Sequence, residues 1–138
     1  MTYTDALQGA LAGEHAAIFV VGYLGAQTSA SAQPELSTAL REAYEAHRTR
    51  RDALDSLVRD TGGTPVAAAS SYDLPDVAGE PLRISTRALE VEQACGATYG
   101  FLVANSAGAQ RRWALDALLD CAVRELAFGG KPRRYPGR

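Results

Sequence analysis

The stretch Thr64–Pro81, TPVAAASSYDLPDVAGEP, interrupts a chain otherwise patterned for helices. Its prolines, Pro65, Pro75 and Pro81, fix φ and remove backbone donors, and the run AAASS between them carries no apolar period. The stretch therefore reads as an irregular connector, far longer than the roughly 4–6 residues usual between elements of a compact domain. Upstream, one helical segment runs from about Thr4 to Thr28, with Thr4 or Asp5 as its cap. A second starts after Gln33-Pro34 and ends at Asp60 before Thr61-Gly62-Gly63, since proline suits a helix start and glycine a helix stop. Downstream, a third runs from Leu82 or Arg83 to about Asn105, and a fourth from Ala109 to Phe128 before Gly129-Gly130.

The connector lengths choose the topology. The first two helices are joined by a few residues, as are the last two, which makes each pair an antiparallel hairpin. Helices of roughly 20–25 residues are about 30–37 Å long, and the long connector can run that height at up to about 3.3 Å per residue. One long crossover between two hairpins is the ferritin-like four-helix bundle, an all-α fold. The expected division is a bundle over residues 1–130 and a basic, proline-broken tail, KPRRYPGR, over 131–138, read as frayed and solvated.

Each helix places an ionisable residue near its middle. Glu14 lies on a stripe with Leu7, Leu11, Ile18, Val21 and Gly25; His47 with Leu40, Ala43, Leu54 and Leu57; Glu92 with Ala88, Cys95, Tyr99 and Leu102; Asp120 with Trp113, Ala117 and Ala127. In a bundle these four meet at one level. Burying an isolated charge costs several kcal/mol, so the group must neutralise itself, hold a cation, or line a small-molecule pocket. Carboxylates with one imidazole suit iron or manganese on Glu14, His47, Glu92 and Asp120. The di-iron pattern needs Glu-x-x-His on two helices, however, and Tyr44 stands three before His47 while Val123 stands three after Asp120. If the site is catalytic, His47 is the general acid or base, oriented by Glu14 or Glu92, with Asp120 completing the set.

Around the cluster, Arg50, Arg51 and Arg124 are candidates to turn inward and pair with an acid, which would displace a metal. Tyr44 and Tyr99 are candidates to donate into the site, and His15, about 100° round from Glu14, is placed at a helix seam or on the outer face. Small residues along the first helix, Gly13, Ala17, Gly22, Gly25 and Ala26, fit either tight packing in the bundle or the seam of a homodimer.

Composition narrows the class. Apolar residues make up 46% and charged residues 22% of 138, globular proportions for one domain, and a net charge of −2 gives no bias toward nucleic acid or anionic membrane. No basic-then-apolar leader pattern and no apolar run near 20 residues is apparent, so a soluble cytoplasmic protein is expected. Cys95 and Cys121 lack Cys-x-x-Cys spacing and read as reduced, buried thiols.

The segments AGEHAAIFVVGYLGA, AYEAHRTRRDAL, GGTPVAAASSYDLP, VEQACGATYGFLV and LLDCAVRELA, in this order from about Leu7 to Leu126, resemble a group of small actinobacterial ferritin-like proteins that form a domain of unknown function. The resemblance implies a ferritin-like bundle, often dimeric, with no established activity. Its pattern matches Glu14, His15, His47, Arg50, Arg51, Asp52, Glu92 and the acid at Asp120. It departs at Phe19-Val20-Val21 and at Leu126-Ala127-Phe128, which makes the surroundings of Glu14 more apolar.

Overall fold

The computed structural model describes residues Thr2–Arg138, which form four α-helices: α1 (Tyr3–Ala26), α2 (Pro34–Asp60), α3 (Pro81–Ala104) and α4 (Gly108–Ala127). The described residues contain no strand, and the fold is an all-α four-helix bundle. Local chemistry sets the helix ends. Pro34 and Pro81 open α2 and α3, where the missing N–H costs nothing. Gly62 and Gly129, just past α2 and α4, take φ of 82° and 88°, conformations that a side chain would strain.

The cap of α1 lies earlier than the expected Thr4 or Asp5. Asp5 N–H donates to Thr2 Oγ1 at 3.1 Å and Thr2 N–H donates to Asp5 Oδ2 at 3.0 Å, a reciprocal capping box in which Asp5 is the third helical residue.

α1 packs against both α2 and α3, and α3 against α4. The core is built from Leu7, Leu11, Leu24, Leu40, Leu54, Ile84 and Leu102, all fully buried, each contributing about 1.5–3 kcal/mol relative to exposure. Two stripes are rotated from expectation. On α1 the expected Leu7, Leu11, Glu14 and Val21 are buried, but Ala17, Val20 and Leu24 complete the inner face, with Ile18 half-buried and Gly25 exposed. On α4 it runs through Ala114, Ala117, Leu118, Cys121 and Glu125, which carries Asp120 to the edge. α1 is also long and apolar enough to cross a membrane by length and composition, contrary to the sequence expectation, but its leucine stripe is spent inside the bundle.

The segment between α2 and α3 lies along α1. Gln8 Nε2 donates to the Thr64 carbonyl at 2.7 Å and Val66 N–H donates to Gln8 Oε1 at 2.8 Å. The same Val66 carbonyl lies 2.9 Å from His15 Nε2, Tyr72 stacks at 5.3 Å on Phe19, and Gly79 approaches the Gln27 carbonyl. Of the small residues of α1, Gly13 faces Thr98 and Gly22 faces the Tyr44 ring, whereas Gly25 meets no neighbour within 4 Å. Residues 131–138 are not a frayed tail. Gly137 sits against Gly96 and Gly100 of α3, close enough that a Cβ on Gly100 would come within 3.0 Å of the Gly137 carbonyl oxygen.

A buried ion-pair cluster as candidate functional site

Three of the four expected residues meet in the middle of the bundle. His47 Nδ1 lies 2.8 Å from Glu14 Oε2 and His47 Nε2 lies 2.7 Å from Glu92 Oε1; none of the three side chains is exposed. Helix spacing puts each on the inner face: Glu14 three residues after Leu11, His47 four after Ala43, Glu92 four after Ala88. Burial works against a charged ring at His47. The hydrogen bonds and negative charges of Glu14 and then Glu92 outweigh it and hold the pKa up at about 9. At neutral pH the ring is an imidazolium, and each of its N–H groups donates to a carboxylate.

Arg50, one turn beyond His47, turns inward and is itself buried. Its Nε donates weakly to Glu14 Oε1 at 3.4 Å, and its Nη1 donates to Asp120 Oδ2. Its Nη2 reaches Cys121 Sγ at 3.6 Å and comes within 3.1 Å of His47 Nδ1, where the imidazolium proton already points at Glu14. Tyr99 O–H donates to Glu14 Oε1 at 3.0 Å, its ring lies under the Arg50 guanidinium, and Trp113 meets that ring edge-on. Two carboxylates thus face two cations in the interior, the balance that makes a buried ionic group tolerable.

Asp120 is not a member of this interior, contrary to expectation. Its side chain is 40% exposed, and it clamps Arg50 from the bundle edge while Arg124 Nε donates to the same oxygen at 2.9 Å. Partial burial opposes its charge, but Arg124 and then Arg50 hold its carboxyl below the usual range. Arg124 accordingly serves Asp120 and does not enter the site. Arg51 pairs with neighbouring Asp52 in solvent, Tyr44 lies under Arg48, and His15 meets the Val66 carbonyl on the outer face.

The cysteines are what the sequence reading missed as site residues. Glu14, His47 and Cys95 each offer a ligand atom within 4.8 Å of the others, a buried group able to hold a metal ion. Cys95 is three residues after Glu92 on the same face, which was the available signal; a lone cysteine in an apolar stripe ordinarily reads as a small hydrophobe. Burial, then the charge of Glu14, pushes its thiol well above the usual value, and Cys121 is raised by burial likewise, so both are thiols rather than thiolates. Among the described residues, Glu92 Oε2 is a buried polar atom without a hydrogen-bond partner.

The profile of a family described as "Domain of unknown function (DUF4439)" matches residues 6–138, and the chain belongs to that family. Among solved structures it is similar to the conserved hypothetical protein Rv2844 of Mycobacterium tuberculosis, with 28% identity over 91% of this chain and 93% of that one and a TM-score of 0.82. No curated protein matches the chain.

Proposed function

We propose that this DUF4439 protein is a ferritin-like scaffold in which the place of a metal centre is taken by a self-neutralised ion-pair network, and that it works through its surface rather than by redox chemistry. The observation that carries the reading is that both ring nitrogens of His47 are spent on Glu14 and Glu92 while the Arg50 guanidinium stands beside them. A divalent ion would have to displace a proton from His47 and accept a cation at hydrogen-bonding distance from its ligands. The ferritin-like topology is supported by the contacts of the connector, which meets α1 at Gln8, His15, Phe19 and Gln27 in turn and so accounts for one crossover along the bundle height. It is supported also by helices of 20–27 residues. A cytoplasmic setting agrees with two free buried thiols.

The test is elemental analysis of protein purified without chelator, then again after anaerobic loading with Fe(II), Mn(II) or Zn(II). Sub-stoichiometric metal throughout is the expected result, and one tightly held ion per chain overturns the reading.

A second reading keeps the same cluster as a mononuclear metal site and has its own support, the proximity of Glu14, His47 and Cys95 and the bare Glu92 Oε2. Its donor set replaces Asp120 by a sulfur, which moves the preferred ion from iron or manganese toward zinc. Cobalt(II) substitution tests it by a thiolate charge-transfer band that disappears in Cys95→Ala.

A further inference from the structure

Glu125 is a buried carboxylate outside the His47 cluster, with 3% of the residue exposed. Its cation does not come from the bundle. Arg133 Nη2, from the C-terminal segment, donates to Glu125 Oε1 at 2.6 Å. Beyond it, Gly137 (φ 84°) fills a slot made by the absent side chains of Gly96 and Gly100. A Cβ on Gly137 would lie 3.0 Å from the Gly96 carbonyl oxygen and 2.9 Å from Leu118. The segment is therefore recognised by this surface through a buried ion pair and a backbone-to-backbone fit, and it leaves α4 through Gly129-Gly130.

The same edge of α4 is apolar and uncovered. Leu115, Leu119 and Leu126 are 42%, 48% and 46% exposed, and with Ala122 they repeat at intervals of four, three and four, the spacing of a coiled-coil seam. Leu119, Val123 and Leu126 share one hollow with Lys131, Pro132 and Pro136 of the C-terminal segment, so the apolar face and the segment form a continuous surface.

We propose that two copies of this chain associate by exchanging residues 131–138. Arg133 of each pairs with the partner's Glu125, Gly137 seats in the partner's glycine slot, and the two α4 faces cover each other. Exchange re-forms every contact that the segment makes within one chain, so only the Gly129-Gly130 hinge changes. The apolar α4 faces then supply a gain that the closed monomer lacks. Arg133 lies three residues past Gly130, a backbone reach of at most about 10–11 Å before its own side chain is added, and Gly137 lies seven past it, about 23–25 Å, against helices packed about 8–10 Å apart. The proposal gives the scaffold reading its partner and rests on that reading.

The experiment mixes two full-length variants, Glu125→Arg and Arg133→Glu. Alone, each sets like charges against one another, two guanidinium groups in the first variant and two carboxylates in the second. Together they restore both pairs only in trans, so native mass spectrometry is expected to show a 1:1 heterodimer, and a mixture that stays monomeric overturns the exchange. Because Glu125→Arg puts a larger side chain into a buried position and can itself impair folding, wild type is also refolded at high concentration beside full-length Arg133→Glu. A dimer in wild type that is absent from Arg133→Glu is expected. A monomeric wild type, or a dimer that survives in Arg133→Glu, overturns the proposal. Metal content is unmoved by either result, so failure of the exchange is distinguishable from failure of the metal-free scaffold.

Discussion

The bundle solves the problem of a buried carboxylate twice, in different ways. At mid-height, Glu14 and Glu92 are answered by His47 and Arg50, which are carried on α2 and are themselves buried, so the network is closed within the bundle. At the α4 edge, Glu125 is answered by Arg133, a third exposed and lying beyond the last helix. The difference is one of dependence. The first network cannot be opened without disturbing the core, whereas the second is conditional on where an eight-residue segment lies. A cation fixed in the core stabilises only the fold; a cation on the C-terminal segment is the one that the proposed exchange would pass to a second chain.

The contrast can be broken most sharply at His47. His47→Leu leaves Glu92 buried with no partner, and a loss of about 3–5 kcal/mol is expected in urea unfolding, as for other broken buried pairs. Adding Glu92→Leu to the same chain is expected to recover much of that loss, because removing both partners of a buried pair is far less costly than removing one. A double variant as unstable as the single would show that the cost is one of packing and not of charge.

Acidity gives the next largest effect. His47 titrates near 6.5 when unfolded and near 9 when folded, so the folded state holds the proton more tightly. Its contribution, roughly 3 kcal/mol, is fully present below about pH 6.5 and is lost as pH rises through about 9. Urea midpoints measured from pH 6 to pH 10 are expected to fall across that window in wild type and to flatten in His47→Gln. A fall of equal size in the variant would assign the dependence to another group.

Arg133→Ala probes the edge pair. Glu125 is left buried, but the arginine is partly solvated, so screening reduces the expected cost to about 1–2 kcal/mol, read as a lower thermal midpoint. A loss as large as that at His47 would erase the distinction between closed and conditional networks. The smallest effect belongs to Asp120→Asn. With its side chain 40% exposed, the clamp on Arg50 is worth under about 1 kcal/mol, and the pH profile of His47 is expected to be almost unchanged.

Much of the core was legible because α-helical spacing is regular. Alternating steps of three and four put Glu14, His47 and Glu92 on inner stripes, and their similar depth along their helices put them at one level. Asp120 was misplaced because α4 is apolar on two sides. Leu115, Leu119, Val123 and Leu126 face outward, so the apolar period had two solutions, and a shift of one residue, about 100°, exchanges Asp120 for Cys121. Glu125 escaped notice for the same reason, and its partner lies past a Gly-Gly stop where sequence patterning predicts a helix end and nothing more. The tail was read from charge and proline content, which report local stiffness and solubility; its seat depends on two glycines more than thirty positions earlier.

The sequence by itself determined four helices, their stops, the two short turns and one long connection, and the level at which three ionisable groups would meet. Those features depend on neighbours within a turn or two, where propensity and periodicity act. Only the tertiary structure decided that Arg50 turns inward, that Cys95 approaches Glu14 and His47, that Asp120 stays at the edge, and that the C-terminal segment carries the cation for Glu125. Such choices turn on separations of about 3 Å between residues far apart in the chain. Ion pairs and hydrogen bonds form or fail at that scale, below the resolution of any helical period.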